Sequence, residues 1–344
     1  MAAPLRLALL GCGALAEILA DRVYPRVTNS VKVVAAIDIA PQRAKALGET
    51  LGVPSFSTLR EAVAAVEIDG VDVRLPHQLH LKGAEWSAEL GLPFLMEKPM
   101  ASSLAEAQEI AELAEALSSP CGVSENYGFL EPVRAARTLL RSGAIGELLL
   151  VKSIRVFELA PPWRRDGWRV TAGPAAGILL DQATHATRML RTVVGGIAEV
   201  HAYASSHREG FSSEDSAVVS CRFTSGHVGV QLFCWACPAP AATRIPELSL
   251  YGSAGSITVH TGYEGDGGAL LQRPGAADEW HAGGTNYFDS LGRTVEEWAD
   301  AVQAGREPAC SIRVGLADMA VMEAIQSSRD RNAPVPVPPV RARG

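Results

Sequence analysis

Apolar and polar positions follow two different rhythms along this chain. From Leu5 to Val123, short continuous apolar runs alternate with stretches of helical period. Leu5–Leu10 is apolar apart from Arg6, glycines follow at once, and Ala14–Val23 has helical spacing. Val31–Ile37 is β-branched and apolar apart from Lys32, and it runs into Asp38. Val71–Leu75, Phe94–Met96 and Cys121–Val123 read as further strands. Pro41–Leu51, Thr58–Val66, His80–Leu90 and Ser103–Leu117 read as helices. Pro41 suits a first helical turn and Gly91 a helix stop, and Ser103 with Glu106 has capping-box spacing. Such alternation predicts a doubly wound parallel sheet with helices on both faces. Its strands are buried on both sides, so they read as unbroken apolar runs.

After residue 125 the rhythm changes. One helix, Pro132–Arg141, ends at Gly143. Longer strand-like segments follow: Leu148–Phe157, Ala198–Ser205, Ala217–Phe223, Val228–Trp235 and Glu247–Tyr251. Strands in close succession predict a mostly antiparallel, open-faced sheet in an α+β domain. Tyr287–Ala304 and Val314–Ser328 read as late helices, and Pro334–Pro339 as a tail. The expected organisation is a dinucleotide-binding domain over 1–124 and an α+β substrate and oligomerisation domain over 125–344.

Composition narrows the classes of partner. A length of 344 residues favours two cores over one. With 47% hydrophobic and 20% charged residues the chain is globular, and a net charge of −7 argues against nucleic acid or an anionic membrane as main partner. No apolar run approaches the ~18 residues of a membrane span. The start, Met1-Ala2-Ala3-Pro4, lacks the pattern of a secretory signal, so a cytoplasmic enzyme is expected. Six scattered cysteines fit reduced thiols.

The first chemical signal is Gly11-Cys12-Gly13-Ala14-Leu15-Ala16, set between a strand and a helix. Gly11 would make the tight turn, Gly13 would let backbone approach a pyrophosphate, and small Ala16 would let helix pack on strand. The phosphates would sit at the positive end of the helix. Asp38, closing the next strand, offers a carboxylate to both ribose hydroxyls of NAD and repels the 2′-phosphate of NADP. Ile39 follows it where an arginine would suit NADP, although Arg43 lies in the next helix. This is the fingerprint of a Rossmann domain that takes NAD rather than NADP.

Further motifs come in a defined order. Leu75-Pro76-His77-Gln78-Leu79-His80 follows a strand, and Phe94-Leu95-Met96-Glu97-Lys98-Pro99 comes about twenty residues later. Then come Gly143-Ala144-Ile145-Gly146-Glu147, Trp168-Arg169, Gly177 through Asp181-Gln182-Ala183-Thr184-His185, and Gly252-Ser253-Ala254-Gly255-Ser256-Ile257. Over nearly the whole chain this resembles the glucose-fructose oxidoreductase / inositol dehydrogenase / rhizopine-catabolism (Gfo/Idh/MocA) family. Glu-Lys-Pro with Asp-x-x-x-His is the most specific part. The resemblance implies a Rossmann domain followed by an open-sheet domain, and a homodimer or homotetramer. It also implies oxidation or reduction of a carbinol carbon of a sugar, cyclitol or related polyol. It assigns Lys98, Asp181 and His185 as the catalytic group. Gly11, Cys12, Gly13, Ala14, Leu15, Asp38, Ile39, Leu75, Pro76, His80, Glu97, Lys98, Trp168 and Arg169 are assigned to the cofactor. Tyr127 and Trp163, by position, join Asp181 and His185 at the substrate. The family usually has threonine where Leu75 stands, and Asn126-Tyr127-Gly128-Phe129 stands where an arginine often precedes the phenylalanine.

Removal of hydride and proton from an alcohol needs a base near the hydroxyl, and histidine is the default because it titrates near neutrality. Asp181 and His185, four apart on a helix, share a face. His185 is expected to take the proton, Asp181 to orient it or the substrate, and Lys98 to donate to the reacting oxygen. The leading expectation is an NAD-dependent dehydrogenase of a sugar, cyclitol or aminosugar-containing metabolite, with aminoglycoside biosynthesis among the settings. An NAD-dependent glycoside hydrolase and a non-catalytic cofactor-binding regulator on the same fold are the alternatives. No metal is expected. Cys234-x-x-Cys237 lacks the further ligands of a zinc site, so strand packing is its default reading. Asp72 and Arg74 alternate on one strand with no role assigned.

Overall fold

Continuous apolar runs become the strands of a parallel sheet. The computed structural model describes residues 3–159, 167, 176–237, 247–262, 267–283 and 286–340. It divides into two compact units, one formed by residues 1–125 with Leu291–Met319, the other by Asn126–Ser290 with residues 320–344. In the first unit the strands are β1 (Leu5–Leu10), β2 (Val31–Ile37), β3 (Ser55–Phe56), β4 (Gly70–Val73), β5 (Phe94–Glu97) and β6 (Gly122–Ser124). The helices between them are α1 (Ala14–Arg22), α2 (Pro41–Leu51), α3 (Leu59–Ala65), α4 (His80–Glu89) and α5 (Leu104–Glu115). The order β3-β2-β1-β4-β5-β6 reverses direction between β1 and β4, as in a Rossmann sheet. Leu7, Ala8 and Leu9 of β1 are fully buried, and so are Phe94, Leu95 and Met96 of β5, which explains why neither strand alternates.

Local chemistry sets the helix ends. Thr58 and Glu61 form a complete capping box at α3. The expected box at α5 is half made: Ser103 caps Glu106, but the Glu106 carboxylate accepts from the Ser102 backbone instead. Gly52 ends α2 in the left-handed region at φ 68°.

The chain also returns to the first unit, whereas the change of rhythm marks only one division near 125. The returning segment includes most of α8 (Tyr287–Ala304) and the start of α9 (Ile312–Arg331). Its anchor is Trp298, fully buried, whose indole N–H donates to the Pro120 carbonyl at 3.2 Å. A side chain at Gly70 would meet the Trp298 ring at 2.8 Å, so the bare backbone of β4 is a seat for the indole. Val123 donates to the Cys310 carbonyl at 2.7 Å, which ties the same segment to β6.

The second unit holds α6 (Glu131–Arg141), α7 (Ile178–Val193) and a nine-stranded sheet among the described residues. Its strands are β7 (Leu148–Val156), β8 (Ile197–Ser205), β9 (Ser216–Phe223), β10 (Val228–Cys234), β11 (Leu248–Gly252), β12 (Gly255–His260), β13 (Gly268–Gln272), β14 (Glu279–His281) and β15 (Val335–Pro336). The order is β14-β13-β12-β11-β7-β10-β9-β8-β15, and all pairs are antiparallel except β7 with β10. The Pro-rich end is therefore no tail: Val335 and Pro336 pair with Val200 and Glu199, and Val337 donates to Ala198. Proline is tolerated there because β15 is an edge strand.

Strict alternation on β9 sends Ala217, Val219, Cys221 and Phe223 to the core and Val218, Ser220 and Arg222 outward. One face of the sheet packs on α6 and α7. Ile178, Leu179, Ala186, Met189 and Leu190 of α7 are buried there with Met322 and Ile325 of α9. Each large aliphatic side chain so buried contributes on the order of 2 kcal/mol. On the other face, Tyr203, Val218, Leu232 and Ile154 form a row across β8, β9, β10 and β7, with Tyr203 and Val218 exposed.

Candidate active site

In the first unit, the candidate residues lie at the carboxyl ends of the central strands. Gly11 follows β1 at φ 101°, and a Cβ there would lie 2.6 Å from the Arg74 carbonyl, so only glycine fits. Gly13 is the N-cap of α1 and has no side chain with which to cap the helix start. Ala14 and Ala16 are buried, while Gly13 and Leu15 are half-buried. The Asp38 carboxylate accepts from the Cys12 backbone N–H at 2.9 Å and from Ala40 at 2.8 Å, clamping the turn. A carboxylate has roughly four acceptor positions, so these two bonds do not by themselves exhaust it. Ile39 is 92% exposed beside it. Cys12 contributes backbone only. Its thiol is buried against the Ile37 carbonyl, and burial pushes it up to about 12.

These residues fit a dinucleotide. The glycine at φ 101° keeps side chains out of the turn, the start of α1 presents N–H groups to a phosphate, and Asp38 stands at the edge of the switch point between β1 and β4.

Further along the same edge lie Leu75 and Pro76, half-buried, then His80 at the start of α4, fully buried. The His80 ring nitrogens lie 2.9 Å from the Pro99 carbonyl and 2.9 Å from the Leu75 carbonyl. Two acceptors favour the charged ring, but burial outweighs them and pulls the imidazole down to about 4. His80 thus joins two loops of the cofactor edge. Leu75, lacking a hydroxyl, contributes its carbonyl to that link.

Glu97 ends β5, Lys98 follows it, and the Lys98–Pro99 peptide is cis. Lys98 is half-buried. The Glu97 carboxylate does not turn outward. It pairs with Arg74, whose guanidinium also contacts Asp72 at 2.7 Å and donates to the Ser124 hydroxyl at 3.0 Å. Tyr24 donates to Asp72 from the other side. Arg74 and Asp72 are buried, and burial pushes the Glu97 carboxyl up against the opposing pull of Arg74. The two strand residues without an assigned role are therefore the centre of a buried polar network.

In the second unit, the candidate residues lie on α7. Gly177 precedes the helix at φ 98°, and a Cβ there would strike the Glu214 and Ser213 side chains at 2.5 Å. The Glu214 carboxylate accepts from the Leu179 backbone at 3.2 Å and from Arg329 at 3.0 Å, capping the start of α7. Asp181 and His185 are both buried, one turn apart on the same face. Asp181 accepts from the Gln182 amide at 2.8 Å. The Tyr127 ring lies 4.5 Å from the His185 ring, tilted by 30°. The Tyr127 hydroxyl is engaged by Arg155 and by Glu247. Tyr127, expected at the substrate, is thus in ring contact with His185 while its hydroxyl is held by Arg155 and Glu247.

Arg155, Gln182, Glu247 and Thr261 complete this network, and sequence reasoning named none of them as functional. A signal existed for one. Val151, Ser153 and Arg155 share the inward parity of β7, and a core-facing arginine needs buried partners. Trp163, Trp168 and Arg169, and the loop of residues 163–166, lie outside the described residues. Cys234 ends β10 with its sulfur 3.3 Å from the Ser216 hydroxyl, and all six cysteines are free. Among the described residues no group of three or more His, Cys, Asp or Glu side chains is placed to hold a metal ion, and no helix is long and apolar enough to cross a membrane.

A Rossmann sheet with a glycine turn and a carboxylate clamped against it, joined in one chain to an α+β unit, is the architecture of a dinucleotide-dependent oxidoreductase. The comparisons agree. Residues 5–125 match the oxidoreductase family with an NAD-binding Rossmann fold, and residues 133–258 match the GFO/IDH/MocA C-terminal domain. D-apiose dehydrogenase of Rhizobium rhizogenes is 25% identical over 340 residues, 93% of this chain and 94% of that protein. Inositol 2-dehydrogenase of Corynebacterium glutamicum strain R is 31% identical over 156 residues, 45% of this chain and 46% of that protein. An oxidoreductase from Agrobacterium radiobacter, solved with NAD+, L-tartaric acid and magnesium, superposes with a TM-score of 0.85 at 22% identity. It covers 97% of this chain and 98% of that one. The chain belongs to the Gfo/Idh/MocA family of oxidoreductases, with an NAD-binding Rossmann domain at its N-terminus.

Proposed function

We propose that this protein is an NAD-dependent dehydrogenase that interconverts a secondary alcohol and a ketone on a sugar, cyclitol or aminosugar-containing metabolite. The observation that carries the reading is the buried Asp181–His185 pair on one face of α7, in a chain whose other unit holds the glycine turn and Asp38. Bound nicotinamide supplies the hydride acceptor, and that chemistry belongs to the cofactor. In the oxidative direction His185 takes the hydroxyl proton, Asp181 orients the substrate or the imidazole, and Lys98 donates a hydrogen bond to the oxygen as it gains alkoxide character. In reverse, the same groups return the proton to a ketone. Gly11, Gly13 and the start of α1 hold the pyrophosphate, and Asp38 holds the ribose and disfavours a 2′-phosphate.

Two features support its setting. Six free cysteines suit a reducing compartment such as the cytoplasm. The open row of Tyr203, Val218, Leu232 and Ile154 offers an apolar face to a second copy, in keeping with a homodimer or homotetramer. The test is a screen of sugars, cyclitols and aminoglycoside-type compounds with NAD and NADP in parallel, followed at the reduced-nicotinamide band. Accumulation of NADH with a polyol is expected. Glycoside cleavage without net NADH would make the protein a hydrolase, and ligand-dependent partner binding without turnover would make it a regulator.

A further inference from the structure

Arg155, near the end of β7, fixes more than its own position. A guanidinium has no acceptor, so every hydrogen bond it makes is a donation. Its Nε donates to Gln182 Oε1 at 2.8 Å, and its Nη1 donates to Glu247 Oε2 and to the Tyr127 hydroxyl. The amide of Gln182 must therefore turn its oxygen to Arg155. That leaves Gln182 Nε2 facing Asp181, where it donates to Oδ2 at 2.8 Å. Asp181 Oδ2 has to be an acceptor at that contact. On the other branch, the Tyr127 hydroxyl donates to Glu247 Oε2 at 3.1 Å, and its ring is held against His185. Thr261 donates to the second oxygen of Glu247, so the carboxylate that anchors the arginine is itself anchored. The arginine also lies over the Tyr127 ring, 5.1 Å from its centroid.

We propose that Arg155 is a positioning residue for the Asp181–His185 pair, acting on Asp181 through Gln182 and on His185 through Tyr127. The Gln182 amide, by donating to Asp181 Oδ2, favours its carboxylate form, and the Tyr127 ring fixes the plane of the imidazole. This rests on the reading of Asp181 and His185 as the reacting groups. The titratable groups around this stretch of α7 include Arg155 on β7, Glu247 just before β11, Tyr127 before α6, Glu214 at the helix start, and His185 itself.

The test uses the full chain, labelled with 13C at aspartate side chains, with the Asp181 resonance assigned by Asp181→Asn. In Gln182→Leu, which matches the volume and keeps the Arg155–Glu247 pair, the Asp181 titration midpoint is expected to rise by about one pH unit as a donor to the carboxylate is lost. Arg155→Lys keeps the charge but not the fork, and a smaller rise is expected. With an accepted polyol, Gln182→Leu is expected to lower kcat about tenfold. KM for NAD should hold, and the acidic limb of the kcat profile should follow the NMR midpoint. An Asp181 midpoint that stays in place in both folded variants overturns the proposal, as does a fall in kcat with an unmoved pH profile. If no polyol is turned over, the dehydrogenase reading fails, and the NMR titration still decides whether Arg155 acts on Asp181.

Discussion

Two buried arginines, Arg74 in the first unit and Arg155 in the second, are partnered in different ways. Arg74 has two carboxylates, Asp72 and Glu97, which are close along and across neighbouring strands β4 and β5. Among the described residues Arg155 pairs with one carboxylate, Glu247, and its other hydrogen bonds go to the neutral Gln182 and Tyr127. A carboxylate partner neutralises a buried charge. A neutral amide or phenol also passes on an orientation, because its own donor and acceptor ends are then fixed. The first network is thus built to keep charge inside a sheet, and the second to aim two side chains on α7.

The variants that sharpen this contrast differ in what they remove. His185→Ala deletes the end of the second network. Turnover is expected to fall by about 10³-fold while the fold and NAD binding persist, measured by steady-state kinetics and by titration with the cofactor. Near-normal turnover would remove His185 from the role of base. Arg74→Met deletes the centre of the first network and strands Asp72 and Glu97 without their cation. A loss of about 3–5 kcal/mol in denaturant unfolding is expected, as for other buried pairs broken from one side. A loss below about 1 kcal/mol would mean that the first network is not structural in the sense argued.

His80 supplies a pH test of the first unit. Its folded value near 4 lies below the ordinary 6.5, so the unfolded chain binds this proton first. The associated stability is present above pH 6.5 and is lost as pH falls toward 4, by up to about 3 kcal/mol. The stability of the protein relative to His80→Gln should therefore drop by up to that amount between pH 7 and pH 4.5. A difference that does not change with pH would show that the ring titrates alike in the folded and unfolded chain. The smallest effect is expected for Ser124→Ala, which removes one neutral acceptor from Arg74 and should cost about 1 kcal/mol. A cost as large as that of Arg74→Met would show that the network has no spare acceptors.

Legibility in the sequence followed the range of the interactions. β1, β2, α2 and α8 have the bounds read from periodicity, because each is a long run with a clear start and stop. β3 is two residues long and has no pattern to read. Gly255–His260 was visible only as part of a glycine motif and not as strand β12, although it pairs with the neighbouring β11 across the turn Ser253-Ala254 and with β13. The Pro-rich end looked like a tail because pairing with β8 is set by a strand more than a hundred residues earlier. The motif residues Lys98, Asp181 and His185 were visible by resemblance, but the partners that hold the last two were not.

The sequence by itself determined the Rossmann unit, because a parallel sheet buried on both faces writes itself as apolar runs and its glycine turn needs a residue without a Cβ. It also determined the chemistry on offer, a glycine turn with Asp38 and an Asp–His pair at helical spacing. Only the tertiary structure decided what surrounds that chemistry: Trp298 returning to the bare backbone of β4, Glu97 turned to Arg74, and Arg155 reaching Asp181 and His185 through Gln182 and Tyr127. The physical reason is that a buried charge must be satisfied by whatever the fold brings beside it. Those partners, from Tyr127 to Glu247, are separated by up to 120 residues of chain.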